Sequence, residues 1–135
     1  MTTPSTQTVR VIDSAVNCPE LSLVEGQGKA KVVLWTGNGA QFRSIQVFNL
    51  HAGDRLVPLQ HKSDCVYYIV EGAGIIKNLA NNEELSLIEG SIVHIDANDG
   101  YRIIAGEKGI RFLGGPCPPD EALYATLNQV ESAAQ

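Results

Sequence analysis

Residues 53–72, GDRLVPLQHKSDCVYYIVEG, are a polar segment and an apolar strand held between two glycines. The block CVYYIV is rich in β-branched and aromatic residues, which suit an extended, half-buried backbone. Along a strand the side chains alternate, so Cys65, Tyr67 and Ile69 share one face and Val66, Tyr68 and Val70 the other. Both faces are apolar. One face is expected to line a core, and the other to meet a second layer or a partner chain. The polar part ahead of the strand holds a single histidine, His61.

The rest of the chain repeats this pattern. Thirteen glycines and six prolines punctuate it rather than form a linker. Between them lie the short apolar runs TVRVID, KVVLW, FRSIQVFNL, VYYIV, GIIKNL, ELSLI, SIVHI, YRIIA and IRFL. Short strands at regular intervals with turn signals between them predict an antiparallel jelly-roll β-sandwich or barrel. GIIKNL and ELSLI flank Ala80–Glu83, and asparagine tolerates the positive φ of a tight hairpin turn. The tail differs: Asp120 is placed to cap a helix carrying Leu123, Leu127 and Val130, an apolar stripe that can dock on the barrel. The expectation is one domain over residues 1–135, with a core over about 8–117, a short C-terminal helix over about 120–132 and frayed ends.

Composition narrows the function classes. Of 135 residues, 44% are hydrophobic and 19% charged, with a formal net charge of −5, so the chain is globular and nucleic acid is not an expected partner. No apolar run is long enough to span a bilayer, and the start, MTTPSTQTVR, lacks the apolar centre of a signal peptide. The expected location is the cytoplasm, with no membrane association. Cys18, Cys65 and Cys117 are an odd number without a CxxC pair, so neither a disulfide framework nor a zinc knuckle is indicated.

The run from Gly53 to Gly115 resembles the cupin superfamily. The first cupin motif is a glycine, five residues, His-x-His, three or four residues, a glutamate, six residues and a glycine. Gly53 and Gly72 hold its ends and His61 matches its second histidine; Leu59 stands at the first histidine and Cys65 at the glutamate. In the second motif Gly90 fits, and Asp96, Asn98 and Tyr101 replace proline, glycine and histidine. The resemblance implies a small single-domain jelly roll with a degenerate metal site. Residues 66–74 and 90–96 are also similar to ectoine synthase. That enzyme's metal ligands would fall on Cys65, Val93 and Tyr101, and a valine binds no metal, so its activity is not carried over.

The resemblance also places His61 and Tyr101 where cupin ligands converge, in a cavity holding Cys65 and Tyr67 and walled by Leu59, Ile69, Val93 and Ile103. Mostly apolar pockets with a few inward polar groups commonly take small ligands. A neutral imidazole can take or give a proton near neutral pH, so His61 is the first candidate for catalysis and Tyr101 the second; the alternative is a buried histidine satisfied by hydrogen bonds. Tyr67, Cys65, Leu59, Ile69 and Val93 are candidate ligand-binding residues, with Cys65 read as an inert thiol rather than a nucleophile. His51 and His94 read as surface residues, and Asp96, Asn98 and Asp99 as loop. Arg43, Arg102 or Arg111 would hold an anionic ligand if one faced inward. No metal and no other cofactor is expected, although a His61–Cys65–Tyr101 set stays open as an unusual site. Three functions compete: a metal-independent acid–base enzyme acting on a small polar metabolite (an isomerase, epimerase, dehydratase or cyclase), a ligand-binding or sensor module, and a metal-dependent oxygenase or lyase. A homodimer is expected, because VYYIV is apolar on both faces.

Overall fold

The computed structural model describes residues 9–125 and 127. Nine strands are present among them: β1 (Glu20–Leu21), β2 (Val24–Glu25), β3 (Lys29–Leu34), β4 (Ile45–Leu50), β5 (Arg55–Leu56), β6 (Cys65–Asn78), β7 (Glu84–Ile88), β8 (Ile92–Ile95) and β9 (Tyr101–Pro116). Every pairing is antiparallel. The two long strands organise the sheet. β9 pairs with β4, β5 and β6, while β6 also pairs with β8 through its first half and β7 through its second. The result is an antiparallel sheet curled into a jelly-roll barrel.

VYYIV and GIIKNL are one strand here, and so are YRIIA and IRFL. Glycine bends these strands instead of ending them. The β6–β9 register shifts between Ile69 and Glu71 and again between Gly72 and Gly74. Gly72 and Gly109 both take positive φ, 84° and 80°, and a Cβ on Gly72 would lie 2.3 Å from the Gly109 carbonyl oxygen. Only glycine allows that approach, and the bulge it creates lets one continuous strand turn a corner of the barrel.

The predicted hairpin joins β6 to β7, with Lys77 opposite Glu84 and Asn82 at φ 62°. The first expected strand does not form. Residues 9–13 carry no strand, and Val9 and Val11 are 85% and 86% exposed. The free edge of β3 is taken instead by Glu20–Leu21, which leaves the earlier segment no partner.

Burial along β6 alternates from Cys65 to Ile69, as the period of a strand requires. Cys65, Tyr67 and Ile69 enter the main core with Phe48, Leu50, Ile103 and Phe112. Phe48 stacks on Phe112 at 4.5 Å, and Tyr67 meets both rings edge-on at 5.5 and 5.2 Å. Such pairs each contribute about 0.5–1.5 kcal/mol beyond their area. Val66 and Tyr68 point outward and remain 44% and 42% exposed, so no second layer among the described residues covers them.

A smaller core joins Leu21, Val32, Trp35 and Tyr124, with Leu123 and Leu127 packed on it. Asp120 caps the 3-10 helix Glu121–Tyr124, accepting from the Ala122 amide at 3.1 Å. Val130 and the rest of the expected C-terminal helix lie outside the described residues, as do the two ends expected to fray.

Candidate functional site

Two backbone contacts place the histidine. Leu59 and Tyr101 exchange both of their amide hydrogen bonds at 2.9 Å, which fastens the segment before His61 to the start of β9. The His61 carbonyl then accepts from the Asn98 amide at 2.6 Å. Asn98 stands at a glycine position of the motif and takes φ 72°, which asparagine tolerates better than most residues. From the other side the Asp120 carboxylate accepts from the Lys62 amide at 2.8 Å. The imidazole is therefore held in place by three parts of the chain that are distant in sequence.

Inside, four polar side chains meet. His61 Nε2 lies 2.8 Å from the Tyr101 hydroxyl, Tyr67 and Tyr101 hydroxyls lie 2.5 Å apart, and Cys65 Sγ is 3.9 Å from the same Tyr101 oxygen. All four residues are at most 5% exposed. Tyr101 is the hub. Burial favours the uncharged form of each group. It lowers the His61 pKa below the usual 6.5, although the nearby Asp120 carboxylate opposes this. It raises both phenols well above 10 and pushes the Cys65 thiol up to about 11. Near neutral pH the set is an imidazole, two phenols and a thiol, all neutral, forming a continuous chain Tyr67–Tyr101–His61.

Two cavities reach this chain. His61 lines one of about 280 Å³, together with Leu21–Leu23, Leu59, Gln60 and Leu123. Tyr101 and Val93 line another of about 140 Å³, between β6, β7 and β8. His61 Nδ1 has no hydrogen-bond partner among the described residues. The barrel interior around Tyr67 is filled by Phe48 and Phe112.

The structure thus brings His61, Tyr101, Tyr67 and Cys65 into direct contact and sets Leu59 beside them. It places Val93 against the Tyr101 cavity and Ile69 within the packed core. His51 and His94 are exposed. No arginine among Arg43, Arg102 and Arg111 faces inward. Arg102 lies between buried Tyr101 and Ile103, so alternation turns it out, where it reaches the Leu56 carbonyl at 3.0 Å and Glu25 at 3.2 Å.

Sequence reasoning missed Asp120 as a neighbour of His61, because it read that aspartate only as a helix cap. It also missed a surface group. Ligand atoms of Asp64, His94 and Asp96 lie within 4.8 Å of one another, all exposed. His94 and Asp96 are two residues apart on β8 and its end, hence on one face, and Asp64 precedes Cys65, which pairs with Ile95. That spacing was a visible signal.

The residues at the barrel centre do not fit a resident cupin metal. Leu59 offers no donor, His61 Nε2 is engaged by Tyr101, and Cys65 and both phenols hold their protons through neutral pH. One imidazole does not hold a divalent ion against water.

No protein-family model matches the chain, and no curated protein matches it significantly. Solved structures do. KdgF from Halomonas sp. superposes with a TM-score of 0.67 at 17% identity, covering 85% of this chain and 98% of that one. The polyketide cyclase RemF from Streptomyces resistomycificus gives 0.68 at 15%, covering 83% of each. An RmlC-like cupin from Shewanella frigidimarina gives 0.63 at 12%, covering 82% and 93%. The protein is an antiparallel jelly-roll barrel with a buried polar chain in place of the metal ligands. Its fold is the cupin fold, and it is a cupin-fold protein. The narrower likeness to ectoine synthase gains no support from these structures. No helix of the described residues is long and apolar enough to cross a membrane.

Proposed function

We propose that the protein binds a small polar molecule in the cavity beside His61, with the imidazole as the group that engages it and without a metal. One observation carries this reading: His61 is tied to the buried Tyr101 hydroxyl through Nε2 and also lines a cavity of about 280 Å³. Leu21, Leu23, Leu59 and Leu123 supply apolar walls, and a neutral imidazole supplies the polar contact. A thermal-shift screen of small polar metabolites, followed by calorimetry on the hits, tests it. A hit should bind His61→Asn about tenfold or more weakly, since a hydrogen bond to a buried partner is being lost. Hits that bind the variant equally well would place the ligand elsewhere and reject the assignment.

A second reading, acid–base turnover of the bound molecule, is favoured by the unbroken Tyr67–Tyr101–His61 chain. The fold supports catalysis in one similar structure, the polyketide cyclase. Under this reading the protein exchanges a carbon-bound proton of its ligand with solvent deuterium, and Tyr101→Phe slows exchange while binding persists. Binding without exchange, in wild type as in the variant, leaves the protein a binding module.

A further inference from the structure

The outer face of the β3–β4–β9 sheet carries a concentration of positive charge that the His61 reading does not use. Register places it there. Lys29, Asn49 and Arg111 form one row across the three strands, and Lys31 and Val47 belong to the next row on the same face. The opposite face of these strands supplies Ala30, Phe48 and Phe112 to the core, so alternation fixes these five outward. Above them a turn of the N-terminal segment, at Ser14 and Ala15, forms a wall. The depression is about 350 Å³, open to solvent, and His51 also lines it.

Charge is what makes this depression unusual. The chain has 15 acidic residues against 10 lysines and arginines, yet Lys29, Lys31 and Arg111 line one cavity in which no carboxylate takes part. Acidic groups lie around it, with Asp13 next to the Ser14 wall in sequence. Glu20 pairs with Lys29 at 3.3 Å and Glu71 approaches Arg111 at 4.0 Å, both pairs well exposed and so weak. Asp54 beneath accepts from the Gln27, Gly28 and His51 amides at 2.6–3.1 Å, which stabilises its charge without cancelling it. Lys31 has no carboxylate within ion-pair distance among the described residues. A neighbouring depression shares Asn49 and Arg111 and adds Lys108.

We propose that this groove is a binding site for a small oxyanion, the phosphate or carboxylate groups of a metabolite. The Arg111 fork and the Lys31 ammonium would hold the charge, and the Asn49 amide, the Ser14 hydroxyl and His51 would orient it. Lys29, Lys31, Asn49 and Arg111 stand on strands held by two ladders, so their backbones are placed before the anion arrives. The two sites share strand β9 but no side chain: the groove's residues stand on the outer face, and Tyr101 points inward to His61.

The test is a ¹⁵N-resolved NMR titration of the whole protein with inorganic phosphate in one arm and succinate in the other, each against sodium chloride at matched ionic strength. Saturable shifts at the Gly28, Asn49 and Arg111 amides in either arm, absent with chloride, are expected, and the arm that saturates identifies the anion class. Lys31→Ala and Arg111→Ala should each weaken binding about tenfold, whereas Lys31→Arg and His61→Asn should leave it near the wild-type value. The proposal is overturned if neither anion gives saturable shifts beyond those of chloride. It is also overturned if binding survives the two alanine substitutions, or if Lys31→Arg abolishes it as fully as Lys31→Ala.

Discussion

Replacing Tyr101 by phenylalanine removes a single oxygen, but that oxygen is the hub of the buried chain. Two groups lose their partner at once: His61 Nε2, now 2.8 Å away, and the Tyr67 hydroxyl, 2.5 Å away. Both belong to residues at most 5% exposed, so water is a poor substitute. A buried polar group left unmade costs about 1–3 kcal/mol, so Tyr101→Phe, which strands two, should cost about 2–6 kcal/mol in total. Tyr67→Phe removes only an end of the chain and leaves the Tyr101–His61 bond intact, at about 1 kcal/mol. For a domain of this size 1 kcal/mol shifts Tm by about 3–5 °C, so Tyr101→Phe should lower Tm by about 6–30 °C and Tyr67→Phe by about 3–5 °C. Urea unfolding followed by Trp35 fluorescence reads the difference. It is the only tryptophan, it is 8% exposed, and it sits in the smaller core away from the chain, so neither substitution touches the reporter. Equal losses for the two variants, or a Tyr101→Phe cost below about 1 kcal/mol, would show that these side chains do not satisfy one another and that solvent or a ligand does so.

Other outcomes follow from the same packing. The pKa of His61 is lowered in the folded state, so the unfolded chain binds the extra proton as pH falls through the usual 6.5. Stability should decline on acidification from there until the folded pKa is passed, and His61→Asn should remove that part of the slope in urea titrations between about pH 7 and pH 5. Protein purified without nickel resin should hold far less than one metal ion per chain by elemental analysis; stoichiometric iron or zinc that persists in His94→Ala, which removes the surface Asp64–His94–Asp96 group, would revive the His61–Cys65–Tyr101 site. The exposed apolar patch of Val66, Tyr68, Ile88 and Ile92 should be covered by a second copy, so sedimentation at micromolar concentration should give a dimer, and Tyr68→Glu a monomer. A wild-type species of only 14.5 kDa would refute the pairing.

Much of this was written in the chain. The alternation in CVYYIV places Cys65, Tyr67 and Ile69 inside, and burial follows it residue by residue, because a strand allows only two directions for a side chain. The motif glycines Gly53, Gly72 and Gly90 all adopt positive φ, a local requirement that a glycine at a motif position signals. His61, Cys65, Tyr67 and Tyr101 could be nominated as neighbours, since the spacing of a known motif encodes convergence. What sequence could not supply is distance between elements. Whether Tyr101 faces His61 across an open cavity or bonds to it directly depends on how tightly Phe48 and Phe112 fill the barrel, a matter of packed volume. Residues 9–13 have a strand's pattern and form none, because a strand also needs an unoccupied edge, and Glu20–Leu21 holds it. Nor could a list of lysines and arginines show Lys29, Lys31 and Arg111 gathered on one face. Arg111 lies about eighty residues from the two lysines in sequence, and only the registers of β3 on β4 and β4 on β9 bring them together, because cross-strand hydrogen bonding fixes which distant residues stand side by side.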